Sequence, residues 1–407
     1  MEIKKLKGIF FKIMFSLTLF TASIFSSCKK DSSVVPASVT TVDSNININS
    51  VDYISRHHSG GYTDTTHKST SGTIKGTTTG TTTGTTTGTT TGTKGATGTI
   101  GGTTTGSTGT TSTSTKFTYK ASAPISLNGQ SNITIRGDSI NGGSSIGIHL
   151  TNCTNVHITK CKVMNSSTNG IQLSNCTNIT IDSCFISNVS AGVNATFSTT
   201  VKVNNNQFLN MNGPFPSGNF VQFNNVNGGG CQINYNKCED IVGVAQHPQD
   251  GLSVYQSNGL PGDSITVIGN YIRGGQVLHD SGGAAGIVLG DVGGSYQVAR
   301  YNVLVNPGSV GAQVQGGSHI KMDHNTVYST ATSYTVVGIA YGNYSGVAST
   351  DVTISYNKVK YFQTSGAELD SWWDPNSVSQ PLGWSTNVLK ASIDPSILPA
   401  TIITLGK

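Results

Sequence analysis

The sequence predicts an all-β fold, a right-handed parallel β-helix of about ten coils over residues 116–407. Three observations predict it. Residues 147–164 (GIHLTNCTNVHITKCKVM) and 170–187 (GIQLSNCTNITIDSCFIS) are near copies, with Cys153 and Cys176, and Cys161 and Cys184, each 23 apart. Their shared template is an apolar residue, two others, an Asn-like residue, one other and an apolar residue. Its Asn-like position recurs at Asp138, Cys161, Cys184, Asn206, Asn236, Asn270, Asn302, Asn325, Asn357 and Asn387. The flanking positions, from Ile135 and Ile140 to Trp384 and Leu389, are all apolar in a chain that is only 35% hydrophobic. A long repeat with period-two alternation inside it means short strands stacked as coils.

In chain order, the first element is a leader. Lys4, Lys5, Lys7 and Lys12 precede an apolar run from Ile13 to Phe25, the pattern of an export signal. The run is short for a membrane span. It ends Phe25-Ser26-Ser27-Cys28, which resembles a bacterial lipobox, although Phe25 stands where leucine is commoner. That resemblance implies a signal peptide over residues 1–27, lipid on Cys28, and an outer-membrane lipoprotein of the cell envelope, on the surface or facing the periplasm. An ordinary signal peptide with a chance cysteine is the other reading.

Residues 28–115 form a linker. Gly76, Gly80, Gly84, Gly88 and Gly92 punctuate threonine triplets, and such a segment has little apolar surface to offset its ordering entropy. As a flexible tether it reaches roughly 50 Å. A period of four with little proline excludes a collagen-like helix.

The coils follow. The template positions are spaced 23, 23, 22, 30, 34, 32, 23, 32 and 30 residues apart, which suits three short strands per coil with loops of variable length. Stacking places like residues in ladders about 4.8 Å apart. Asparagine suits a ladder because its amide both donates and accepts, and because it tolerates a left-handed bend. A second motif, Gly-apolar-polar-apolar, supplies another strand, as in Gly170-Ile171-Gln172-Leu173, Gly251-Leu252-Ser253-Val254 and Gly286-Ile287-Val288-Leu289. A leucine-rich solenoid would need a helix or regular leucines that are missing.

The G-I-x-L … N-h-x-I-x-x-N-x-h pattern over roughly residues 117–390 resembles the parallel β-helix repeat of the pectate-lyase-like (pectin-lyase-fold) superfamily. The resemblance implies the fold. It does not select an activity, because such folds serve polysaccharide lyases, glycoside hydrolases, epimerases, tailspikes and non-catalytic surface proteins.

Three coils between Asn206 and Asn302 carry insertions, among them QHPQDG (246–251), GLPGD (259–263), LHDSGG (278–283) and LGDVGG (289–294). Loops beside a rigid scaffold often carry function. They flank the Gly-apolar-polar-apolar strand, the face on which the superfamily typically binds sugar chains. The candidate catalytic residues are therefore His247, Asp250, Arg273, His279, Asp280 and Asp291. Carboxylates one coil apart would approach to about 5 Å, as in a retaining glycosidase, and two coils apart would suit an inverting one. Arg273 would hold a uronate or a developing charge. The bland alternative is that Asp250 and Asp280 form turns beside glycines and that His247 is loop. The paired-Asp and Gly-His-Gly motifs of polygalacturonases and the acidic calcium cluster of pectate lyases are missing. His-Pro-Gln-Asp at 247–250 only faintly resembles the Asp-Pro-His-Asp of alginate epimerases. No cofactor is expected, with calcium on Asp250, Asp280 and Asp291 as the one metal option.

The outward residues of the repeated strand, including His149, Gln172, Asn194, Gln222, Ser253 and Gln313, form a polar, mostly uncharged stripe suited to neutral sugars. Gln222, Ser253, Tyr255 and Gln313 are the candidate substrate-binding residues, and Tyr296, Tyr341 and Tyr344 are further stacking candidates. Trp372, Trp373 and Trp384 suit a hydrophobic cap over the last coil, which would shield open strand edges. A sugar platform is the other use for them. The six cysteines left after Cys28 form either disulfides between ladder positions or a stack of buried thiols.

Charge excludes one class of partner. Ten Lys/Arg against five Asp/Glu precede Lys116, and fourteen of each follow, so the folded region is neutral. With three arginines and no basic run it lacks what nucleic acid requires. The expected partners are a polysaccharide and, through the lipid, a membrane. The expected protein is a lipid-anchored surface β-helix that binds a polysaccharide and cleaves it as a lyase or hydrolase. A non-catalytic adhesion or envelope module is the alternative. Oligomeric state is not legible.

Overall fold

The computed structural model describes residues 117–213, 218–241, 250–274, 285–344 and 346–405. The expected leader, Cys28 and the linker lie outside these residues. The described chain contains parallel strands and two 3-10 turns, with no α-helix among the described residues. The strands form three parallel sheets that run up a right-handed β-helix.

The first sheet has ten strands, from Lys120–Ser122 to Lys358–Tyr361, one per coil. The second runs from Ile125–Asn128 to Ser371–Trp373, and the third from Ser131–Arg136 to Ser349–Ser355. One long strand, Ala285–Arg300, contributes to both the second and the third.

The registers follow the sequence template. Ile135, Ile158, Ile181, Val203, Ile233, Val267, Ala299, Met322 and Ile354 pair in turn along the third sheet, and all are buried. The partner column, from Ile140 and Val163 to Val327 and Val359, lines the first sheet and is equally buried. Period-two alternation puts both columns inside, where each gains the burial of a neighbour above and below. The template fails at its last step, because Leu389 is 42% exposed beyond the final paired coil.

Between these columns runs the asparagine ladder. Asn206, Asn236, Asn270, Asn302, Asn325 and Asn357 each donate through the side-chain amide to the Oδ1 of the next, at 2.8–3.2 Å, ending on Asn387. Each also donates its backbone N–H to that same oxygen. Cys184 extends the file downward, since its N–H donates to Asn206 Oδ1 and its sulfur lies 3.5 Å from the Cys161 nitrogen. All six described cysteines are buried free thiols, so the stack is the correct reading and no disulfide joins the ladder positions.

One physical reason needs correction. The left-handed residue is not the ladder asparagine but the residue before it: Lys160, Ser183, Asn205, Tyr235, Gly269, Tyr301, His324 and Tyr356 all have φ between 51° and 65°. The ladder residue is selected for hydrogen bonding alone. The glycine of the second motif is selected for space. A Cβ on Gly170 would lie 2.7 Å from Ile186 Cγ2, so the strand can approach the core only without one.

After the last coil, Trp373 and Trp384 pack edge to face at 5.7 Å against the end of the core, as a cap requires. Trp372 does not join them. It faces outward beside Ala340 and stacks near Tyr344 at 6.3 Å. The chain then doubles back along the outer face of the first sheet. Leu398, Ile402 and Ile403 bury themselves against Phe185, Val305 and Tyr328. Glu239 Oε2 accepts from Ile402 N at 2.7 Å, Ile403 N at 3.2 Å and Thr401 Oγ1 at 3.0 Å. Gln207 Oε1 accepts from the N–H groups of Thr404 and Leu405, each at 2.7 Å. This strap runs against the direction of coil stacking.

Candidate functional site

The outward column of the second sheet is continuous. His149, Gln172, Asn194, Gln222, Ser253, Val288, Gln313 and Ala340 pair in turn, one per coil. Its exposure changes along the helix. His149, Gln172, Asn194 and Gln222 are half-buried, whereas Ser253 and Gln313 are buried although they point away from the core. The Oγ of Ser253, the Oε1 of Gln313 and both amide atoms of Gln315 have no hydrogen-bond partner. Gln315 follows just past the strand end at Val314, and Val288 of an apolar cluster lies between Ser253 and Gln313 in the column. Buried polar atoms left unpaired cost about 1–3 kcal/mol each, so these call for a ligand or water to repay it.

Tyr255 lies in the same region. It pairs with Asp291 of the next coil, and burial together with the Asp291 charge raises its hydroxyl pKa. Burial likewise raises the hydroxyl pKa of Tyr344, whose backbone N–H donates to Gln315 O at 3.0 Å.

Of the three candidate carboxylates, Asp250 and Asp291 lie within the described residues. Asp250 is buried at the start of the second-sheet strand, where its Oδ1 accepts from Ala285 N at 3.0 Å and its carbonyl accepts from Asn219 Nδ2 at 2.8 Å. Asp291 is buried inside the long strand Ala285–Arg300, where it pairs with Tyr255 of the neighbouring coil at an irregularity in the register. His247, His279 and Asp280 lie outside the described residues.

Arg273 is placed differently. It belongs to the first sheet, beside Glu239 and Val305, and its Nη2 donates to Pro395 O at 3.1 Å and Leu398 O at 2.7 Å. Its guanidinium holds the strap. Among the described residues no three His, Cys, Asp or Glu side chains come together as a metal site.

Sequence reasoning missed a second surface. The left-handed corner before the ladder carries Tyr235, Tyr301, His324 and Tyr356 in the later coils, and the three tyrosines are 55–58% exposed. Tyr301 and His324 rings lie 5.2 Å apart, and His324 and Tyr356 5.1 Å. The signal was present as Tyr-Asn or His-Asn at four ladder positions. Beside these rings, Arg300 grips Asp323 with two hydrogen bonds of 2.5 and 2.8 Å, and Lys321 Nζ stands 3.1 Å from the same carboxylate. Burial opposes ionisation of Asp323, but these cations and His324 hold its pKa below the usual range.

A smaller depression opens earlier on the third sheet, lined by Asn155, His157, Asn178, Thr180 and Asp182. There His157 Nε2 meets Asp182 Oδ2 at 2.5 Å, and Thr159 Oγ1 donates to Asp182 Oδ1 at 2.7 Å.

These features define a right-handed parallel β-helix with polar and aromatic outer faces. A family model described as "Right handed beta helix region" matches residues 97–237. No curated protein matches the sequence. Among solved structures, the chain is similar to PfbA, a surface adhesin of Streptococcus pneumoniae, with TM-score 0.40 and 11% identity over 58% of this chain and 70% of that one. It is similar to DFA-IIIase from Arthrobacter chlorophenolicus A6 in complex with GF2, with TM-score 0.37 and 11% identity over 65% and 60%. It is also similar to the catalytic unit of a GH87 alpha-1,3-glucanase from Streptomyces thermodiastaticus, with TM-score 0.25 and 13% identity over 68% and 64%. The chain spans less than two thirds of the latter two, and the likeness concerns fold alone.

Proposed function

We propose that this is an exported, lipid-anchored protein of the cell surface whose β-helix binds a polysaccharide through the outer face of its second sheet. The observation that carries the binding is the set of buried, unpartnered polar atoms on Ser253, Gln313 and Gln315, continuing a half-exposed stripe of Gln172, Asn194 and Gln222. Sugar hydroxyls both donate and accept, so a glycan on this face satisfies such atoms without a charged partner. The neutral balance of the folded region agrees with a neutral chain more than a polyanion. Export and anchoring rest on the leader and Cys28, with the linker as spacer.

Binding without cleavage is the form proposed here: Asp250 and Asp291 are both buried, on separate coils, and Arg273 donates to the strap.

The test incubates the full chain with a polysaccharide panel, measuring retention as well as new reducing ends and unsaturated uronates. Retention without product is expected, and Ser253→Ala with Gln313→Ala should abolish it. Product that disappears in Asp250→Asn would instead restore the lyase or hydrolase reading, and no retention of any glycan would end the proposal.

A further inference from the structure

Aromatic residues are poor choices for left-handed backbone, which costs a non-glycine residue roughly 1–2 kcal/mol and favours Asn or Gly. Yet of the seven aromatic or histidine residues at positive φ among the described residues, six (Tyr235, Tyr296, Tyr301, His319, His324 and Tyr356) lie at the ends of third-sheet segments. The backbone does not require them. The same corner in earlier coils is made by Lys160, Ser183 and Asn205. Local strain retained without a structural need points to function.

The corner track is built to be open. Tyr235 leans onto Gly269, where a Cβ would lie 2.6 Å from the ring Cδ1, so the coil that lacks a side chain seats the ring of the coil below. Tyr301, His324 and Tyr356 continue the track, the first two rings tilted at 45° and the last two stacked at 28°, with more than half of each tyrosine exposed. Each ring offers an apolar surface and a hydroxyl, the pairing that a sugar's C–H face and rim hydroxyls match. Arg300, whose guanidinium lies 5.7 Å from the Tyr301 ring centre, and Lys321 are both engaged by Asp323, which weakens their hold on a carboxylate or sulfate.

We propose that the corner formed by Tyr235, Tyr301, His324 and Tyr356 is a second glycan-binding track, on which a neutral polysaccharide lies along the coil axis. This extends the glycan-binding reading to a different surface and can fail while that reading stands.

The test is affinity electrophoresis of the full chain through gels containing a soluble β-glucan, α-glucan or mannan, with polygalacturonate as the anionic comparison. Tyr301→Asn and Tyr356→Asn suit the left-handed corner, so their melting temperatures should match or exceed the parent's. Retention should fall roughly three- to tenfold for each ring lost. Tyr301→Phe and Tyr356→Phe keep the rings and should keep retention within about threefold of the parent. Equal loss in the Phe and Asn variants, unchanged retention in the Asn variants, or binding to polygalacturonate alone would overturn the track. Loss confined to Ser253→Ala and Gln313→Ala would overturn the track but keep the second-sheet site, whereas no retention by the parent chain in any gel would overturn both.

Discussion

The Oδ1 of Asn302 accepts two hydrogen bonds from Asn270, one from its backbone N–H and one from its side-chain amide, each at 2.9 Å. Asn302 in turn donates its amide to Val267 O at 2.8 Å and to Asn325 Oδ1 at 2.8 Å. A single side chain thus satisfies polar groups in three coils where no water reaches. Asn302→Leu would strand the Asn270 donors and the Val267 carbonyl, with an expected loss of at least about 3 kcal/mol. Chemical denaturation measures it, and a loss under about 1 kcal/mol would mean that the ladder does not hold the coils.

Where the file changes from asparagine to cysteine, the opposite substitution should be tolerated. Cys184 offers only a weak sulfur acceptor to Cys161 N at 3.5 Å, while its own N–H already donates to Asn206. Cys184→Asn places an amide where the ladder already runs, so stability should be unchanged or raised by about 1 kcal/mol. Thermal melting decides this.

The strap depends on Glu239 and Arg273. Glu239→Ala removes the acceptor of three donors, and Arg273→Ala removes the donor to Pro395 O and Leu398 O. Each should cost about 1–3 kcal/mol and speed proteolysis near residues 395–405. If Arg273→Ala left melting and proteolysis untouched, the clasp described here would be wrong.

Asp240 is buried beside Glu239, and burial pushes its pKa up to about 7, although Met211 N donates to it at 2.8 Å. The folded state therefore holds a proton that the unfolded chain releases near pH 4. Stability from this group is greatest in acid, falls by about 1.4 kcal/mol per pH unit between pH 4 and 7, and levels off above. Asp240→Asn should match the parent at pH 4 and exceed it at pH 8. Denaturation midpoints at the two values test the sign.

Lipidation of Cys28 is expected to separate from folding. Cys28→Ala should move the exported chain from the membrane to the soluble fraction and abolish incorporation of a labelled fatty acid, with the melting temperature unchanged. Unchanged membrane association and labelling would remove the anchor.

Much of this architecture is legible in the residues. The file from Cys184 to Asn387, the buried columns flanking it and the outward stripe from His149 to Gln313 each appear where the template puts them. They are legible because stacking turns a sequence period into a spatial column, so each contact recurs at a nearly constant separation. The site was less legible. Asp291 looked like part of a loop, but the register places it inside the strand Ala285–Arg300, beside Tyr255. Arg273 looked like part of the insertions, although the register puts it on the first sheet.

From sequence alone come the repeat, the polar and apolar faces of its strands and the neutral surface, since these are properties of each coil and its immediate neighbours. Tertiary structure alone decided that Glu239 and Gln207 receive the C-terminal strap from 162 to 198 residues away, and that Ser253 and Gln313 are buried on an outward face. It also decided that tyrosines from separate coils form one track. Those outcomes depend on where non-repeating segments return to the helix, and no period in the chain encodes that.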